Sequence, residues 1–266
     1  MKIAIIGFGN MGKTFVNGFV NARFIDLNNL FIFNRSVSTD DLSKKIPAHN
    51  IFCELNETIK EVDIVILAVK PQDFENLTKT LKQFITPNHI ILSVMAGVSI
   101  KKITDYLPTN KVIRSMPNLP SQIGLGATVL TASMSIDRKD LLIGQNLINT
   151  TGKSIFVEKE ELIDAATAVS GSGPAYVFYF MQSMIAAALK MGFTEPEAEL
   201  LVKQTFLGAV HLYSNNSIST QEWMDKVASK GGTTEAALKH FEKSCVSKNI
   251  QEAVETARIR SQQLGS

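Results

Sequence analysis

The chain has 266 residues, of which 45% are apolar and 20% charged, with a formal net charge of +2. That length is enough for one large domain or two smaller ones with a real core, and the composition is that of an ordinary globular protein. The small charge and the lack of a dense Lys/Arg stripe argue against nucleic acid, and two distant cysteines, Cys53 and Cys245, outside any Cys/His cluster argue against a disulfide framework or a metal site.

The first residues, KIAIIG (2–7), read as a buried strand that runs straight into glycines. They are too short for the apolar core of a secretory leader. Runs such as IVILAV (64–69) are too short to span a bilayer. A reduced, cytoplasmic protein with neither membrane nor nucleic-acid partner is therefore expected.

The glycines form the pattern GFGNMG: Gly7, Phe8, Gly9, Asn10, Met11 and Gly12. A GxGxxG pattern is weak alone, but here a strand precedes it and a helix, Asn10 to Ala22, follows. In that setting Gly7 makes the tight turn, Gly9 lets backbone approach a pyrophosphate, and Gly12 lets helix and strand pack closely. The pyrophosphate would sit on the positive helix N-terminus. The simpler alternative is a plain strand–helix turn.

The second strand, LFIFNR (30–35), ends where an NAD site would usually carry an acid to hold the ribose 2′-hydroxyl. Asn34, Arg35 and Ser36 stand there instead. An arginine fork suits a 2′-phosphate, which favours NADPH and leaves NADH as the second choice. Asp40 and Asp41 are too far along to replace the acid. A merely solvated arginine is the alternative.

Further strands are expected at DIVILAV (63–69), HIILSVM (89–95) and KVIRSM (111–116). Continuous apolar strands separated by helical stretches point to a parallel sheet covered on both faces, the doubly wound α/β fold. From about Glu158 the β-branched runs stop. Helices are expected over 159–169, 174–191, 195–214, 219–229, 233–244 and 247–263. The stretch FYFMQSMIAAALKMG is apolar nearly all round, so its helix should be buried, within its own domain or against a second subunit.

Two stretches of this half combine glycines with helix-starting residues: AVSGSGPAYVF (168–178) and ASKGGTTEAAL (228–238). Such helix N-termini can hold a carboxylate, although Ser and Thr also simply cap helices. The four histidines, His49, His89, His211 and His240, are scattered and suggest no catalytic set.

IGFGNMG (6–12), AVKPQ (68–72), SVMAGVS (93–99), RSMPNLP (114–120), ELIDAATAVSGSGPAYVF (161–178) and SKGGTTEAAL (229–238) together carry a resemblance. Through them the chain resembles the pyrroline-5-carboxylate reductase family over essentially its full length. The resemblance implies a Rossmann domain over 1–157 and a helical dimerisation and substrate domain over 158–266. It implies reduction of the cyclic imine Δ1-pyrroline-5-carboxylate to L-proline with NAD(P)H and no metal. It also implies interlocked homodimers that often assemble into decamers.

Residue by residue, Thr234 matches the threonine that hydrogen-bonds the substrate ring nitrogen. Ser229, Gly231, Gly232 and Thr233 match the loop that holds the substrate carboxylate. Ala68, Val69, Lys70 and Pro71 match a cofactor-contacting loop, and Met116, Pro117 and Asn118 a segment near the nicotinamide. Lys70 could instead be a solvated strand-end lysine, and Asn118 an ordinary turn residue.

The chain departs from the family pattern at Ala228 and Lys230 in the substrate loop, at Leu119, and at Gln182. These changes leave room for a reductase of another cyclic imine or for a non-catalytic NADPH-binding regulator.

Overall fold

The computed structural model describes residues 1–36 and 43–265; Asp40 and Asp41 lie outside the described residues. The described residues form two compact units, one of residues 1–172 together with those from 257 onward, the other Gly173–Thr256.

The first unit is built on one eight-stranded sheet in the order β3-β2-β1-β4-β5-β6-β7-β8. Its strands are β1 (Ile3–Ile6), β2 (Leu30–Phe33), β3 (Ile51–Phe52), β4 (Ile64–Leu67), β5 (Ile90–Ser93), β6 (Val112–Met116), β7 (Gly126–Ala132) and β8 (Gly152–Phe156). All neighbours pair in parallel except β6 and β7. The doubly wound α/β reading is therefore correct, and the five strands expected from apolar runs are β1, β2, β4, β5 and β6.

Period-two alternation distributes the strand residues between two cores. Ile3, Ile5, Leu30, Ile32, Ile64 and Ile66 pack on one face with Phe15 and Phe19 of α1 (Asn10–Ala22). Ala4, Ile6, Phe31, Phe33, Val65 and Leu67 pack on the other. That second face is covered by Phe74 and Leu81 of α2 (Phe74–Leu81) and Ile103 of α3 (Ile100–Tyr106). Because both faces are buried, the strands read as continuous apolar runs rather than alternating ones.

Three strands and one helix are additional to the sequence reading. β3 has only two residues, and β7 is GATVLTA, rich in Gly, Ala and Thr. β8 is GKSIF, with Ile155 and Phe156 exposed. Between β7 and β8 lies α4 (Arg138–Asn149), whose N-terminus is capped by the Asp137 carboxylate accepting from Asp140 N–H at 2.7 Å.

The helix expected over 159–169 is shorter, α5 (Leu162–Ala166), and widens into one π-helical turn, Thr167–Gly171. The Thr167 and Ser170 hydroxyls donate back to the carbonyls of Ile163 and Ala166, four residues earlier. Such back-bonding competes with the regular helical ladder.

The second unit is helical. It holds α6 (Gly173–Lys190), α7 (Glu195–Ser214), α8 (Thr220–Val227), α9 (Thr233–Lys243) and the first part of α10 (Val246–Gly265). Pro174 lies in the first turn of α6 and Pro196 in that of α7, where a missing N–H costs nothing. Within one chain, α6 buries none of its residues. Phe178 and Tyr179 are 59% and 69% exposed, and on α7 Leu200, Leu207, Val210 and Leu212 are exposed as well. The expected burial is thus not provided by the chain's own second unit. An apolar surface this extensive marks an interaction face.

Candidate functional site

The glycine loop follows β1 at the point where the strand order reverses, with β2 on one side of β1 and β4 on the other. In open α/β sheets the ligand crevice lies there, beyond the carboxyl ends of the strands. A cavity of about 420 Å³ occupies this place. That is large enough for part of a dinucleotide.

Its walls bring together Gly7, Phe8, Gly9, Asn34, Arg35, Ala68, Val69 and Lys70 from the sequence-predicted set. Asn10, Met11 and Gly12 continue from the cavity wall as the first turn of α1. Ser36 stands at the β2 end and Pro71 opens the 3-10 turn after Lys70. Met116, Pro117 and Asn118 lie at the end of β6, outside this cavity's lining. Asp73, Asn76, Cys53 and Glu54 line the cavity as well. Sequence reasoning missed these, because they come from the turn after β4, the first turn of α2 and the end of the two-residue β3.

The loop geometry explains the glycines. Gly7 has φ of +97°, and a Cβ there would meet the Ala68 carbonyl oxygen at 2.7 Å and Val69 N at 2.9 Å. A Cβ on Gly12 would collide with the Gly7 carbonyl oxygen. At Gly9 the space is open. Among the described residues no side chain caps α1 and no acid stands in its first turn. The first N–H groups of a helix lack intrahelical partners, so this end favours an anion. These features fit a pyrophosphate.

Asn34 has a structural task beside its place in the cavity. Its Oδ1 accepts from Phe8 N–H at 3.1 Å and its Nδ2 donates to the Ser36 carbonyl at 2.7 Å. The side chain thus ties the glycine loop to the end of β2. Arg35 reaches into solvent and pairs with Asp73, Nη2 to Oδ2 at 3.1 Å. Lys70 is exposed.

Asn118 is braced in a similar way. Its Nδ2 donates to the Ser170 carbonyl at 3.0 Å and its Oδ1 accepts from Ala127 N–H at 2.9 Å. Met116 Cε lies 3.0 Å from where a Cβ of Gly171 would be, so the glycine of SGSGP makes room for β6.

In the second unit, Ser229, Lys230, Gly231, Gly232, Thr233 and Thr234 form the turn that opens α9. Gly232 is the N-cap and its N–H donates to the Ser229 carbonyl at 2.9 Å. The Gly231 N–H donates to Glu235 Oε2 at 2.6 Å. That bond first, and the Lys239 ammonium second, hold the Glu235 carboxyl below the usual glutamate range. Thr233 and Thr234 follow in the first helical turn, where N–H groups have no carbonyl four residues back. Thr234 is half-buried, whereas Thr233, Ser229 and Lys230 are exposed.

Comparison with known proteins agrees with this geometry. Residues 160–264 match the family model described as pyrroline-5-carboxylate reductase dimerisation. Residues 2–97 match the one described as NADP oxidoreductase, coenzyme F420-dependent. The pyrroline-5-carboxylate reductase of Vibrio alginolyticus is 33% identical over 99% of this chain and 97% of its own length. A solved pyrroline-5-carboxylate reductase from Coxiella burnetii is 32% identical with a TM-score of 0.90, covering 100% of this chain and 98% of its own. That of Plasmodium falciparum, solved with NADP bound, is 28% identical with a TM-score of 0.89 over 100% and 98% of the two chains. A glycine cradle at the sheet's switch point, a helical unit with an uncovered apolar face and full-length identity to such relatives lead to one conclusion: the chain belongs to the pyrroline-5-carboxylate reductase family.

Proposed function

We propose that this protein reduces Δ1-pyrroline-5-carboxylate to L-proline with NADPH. The observation that carries the reading is the turn of Gly7 and Gly9, which lines one cavity together with Arg35, in a chain that also keeps the GGTT turn at α9. When bound, NADPH supplies the hydride.

The protein's own part is orientation. The α1 N-terminus and the Gly9 backbone hold the pyrophosphate, and Arg35 takes the 2′-phosphate with its planar fork. Thr233 and Thr234 N–H groups at the start of α9 hold the substrate carboxylate, and the Thr234 hydroxyl hydrogen-bonds the ring nitrogen. A protonated imine carbon accepts hydride readily, so no nucleophile or metal is required. Among the described residues no group of three or more His, Cys, Asp or Glu is arranged to hold a metal ion.

Thr234→Ala tests this assignment. Losing one oriented hydrogen bond worth about 1 kcal/mol should lower kcat/KM for the imine roughly fivefold, with NADPH affinity unchanged. Steady-state kinetics identical to wild type would remove Thr234 from the site.

The exposed apolar faces of α6 and α7 support a paired assembly. We read residues 158–266 as the dimerisation and substrate portion, pairing with a second copy and extending to decamers in the cytoplasm. No helix among the described residues is long and apolar enough to cross a membrane. Light scattering on dilution should give a mass of two chains or a multiple of two. A mass at the 29.2 kDa of one chain would contradict the pairing.

A further inference from the structure

The end of β2 lacks the acid that a ribose 2′-hydroxyl would need, but the fold brings one from elsewhere. Asp73 closes the 3-10 turn Pro71–Asp73 after β4, 38 positions beyond Arg35. It lines the same cavity as Arg35, and its Oδ2 lies 3.1 Å from Arg35 Nη2. The two side chains are 37% and 88% exposed, so both remain accessible to a ligand. Asp73 makes no side-chain capping bond to α2, which starts at the next residue. Its carboxylate is therefore not committed to holding that helix.

We propose that Asp73 is a specificity-determining residue for the nicotinamide cofactor, set against Arg35. The proposal rests on the reading that Arg35 receives the 2′-phosphate. With NADH, Asp73 accepts a hydrogen bond from the ribose 2′-hydroxyl, the task usually given to an acid at the end of β2. Arg35 stays paired with Asp73 in that state. With NADPH, the doubly charged phosphate takes the guanidinium, and the Asp73 carboxylate beside it both competes for Arg35 and repels the phosphate. One residue thus supports NADH and restrains NADPH, making the site serviceable for both cofactors.

The test measures dissociation constants by calorimetry for NADPH, NADH and the probe pair 2′,5′-ADP and 5′-AMP, which isolates the 2′-phosphate. Three proteins are compared: wild type, Asp73→Ala and Arg35→Ala. Asp73→Ala should tighten NADPH and 2′,5′-ADP about threefold, the scale of one exposed ion pair. It should weaken NADH about tenfold, the scale of a hydrogen bond to a charged acceptor. Arg35→Ala should weaken NADPH and 2′,5′-ADP while changing NADH and 5′-AMP little.

Each outcome decides something. If Arg35→Ala is selective but Asp73→Ala moves both cofactors equally, or neither, the Asp73 proposal is wrong and the 2′-phosphate reading stands. If Arg35→Ala weakens both cofactors alike, that reading fails and the Asp73 proposal fails with it. Should Asp73→Ala fold poorly, Asp73→Asn keeps the shape and removes the charge. It should tighten 2′,5′-ADP about threefold. No change there would overturn the proposal.

Discussion

Gly12→Ala is expected to leave a folded protein that binds NADPH about a hundredfold more weakly. The added methyl has no room, because it would collide with the Gly7 carbonyl oxygen, with Ile5 Cγ2 3.4 Å away on the strand side. Gly7 cannot retreat. Its φ is +97°, and the Ala68 and Val69 backbone stands so close that a Cβ on Gly7 would meet it at 2.7–2.9 Å, which leaves little space on the β4 side. The strain is therefore relieved by sliding the first turn of α1 away from β1. Overpacking of this kind costs about 1–3 kcal/mol of stability. Its larger effect is on geometry, since the shift withdraws the α1 N–H groups from the pyrophosphate, and losing two hydrogen bonds to a charged group at about 1.5 kcal/mol each weakens binding about a hundredfold. Fluorescence titration with NADPH together with urea unfolding separates the two effects. A stable Gly12→Ala protein with wild-type NADPH affinity would mean that the loop does not cradle the pyrophosphate.

Arg114→Met should destabilise the sheet unit by about 3 kcal/mol, at the lower end of the cost of orphaning buried charge. Arg114 sits in the middle of the sheet, on β6 between Ser93 of β5 and Thr131 of β7, with its side chain 5% exposed. Its Nη1 meets Glu160 Oε1 at 2.8 Å, and its Nη2 lies 3.7 Å from Asp164 Oδ1.

Both carboxylates also hold backbone or helix ends. Glu160 Oε1 accepts from Ile100 N–H at the start of α3, and Asp164 Oδ1 accepts from the Ser261 hydroxyl near the end of α10. Without the guanidinium, two partly buried negative charges face each other across the space it filled. Glu160 is about a third exposed, which places the cost at the lower end. Adding Glu160→Gln and Asp164→Asn to Arg114→Met should recover much of the loss, because the uncompensated charge is then gone. A urea midpoint for Arg114→Met that matches wild type would show that this cluster contributes nothing net.

What could be read from the sequence follows from how each element is stabilised. α1 was legible to its ends because a glycine loop starts it and its apolar spacing is helical. β1, β2, β4, β5 and β6 were legible because strands buried on both faces are unbroken apolar runs. β7 and β8 were not, since they hang on the antiparallel side of the sheet and owe their order to pairing rather than to composition. The π-helical turn at Thr167–Gly171 was hidden for another reason. Its two hydroxyls bond back only four residues, a bond that serine and threonine make in ordinary helices too, and the Met116 side chain beside Gly171 comes from β6, across the fold.

The same distinction runs through the site. Gly7, Gly9, Gly12 and Arg35 announce themselves by local pattern. Asp73 does not, because only the adjacency of β1 to both β2 and β4 carries it to Arg35. The sequence places Asn34 and Asn118 beside the cofactor, with an ordinary turn role as the alternative for Asn118, and the structure adds the bonds that each makes to backbone around the site.

The most direct measurement is NADPH oxidation by the purified protein with Δ1-pyrroline-5-carboxylate, run beside NADH at equal concentration. The account predicts steady turnover to proline with both cofactors and a preference for NADPH. Tight NADPH binding without turnover on this imine would contradict it, and would mean that the cradle at β1 serves a different substrate or none.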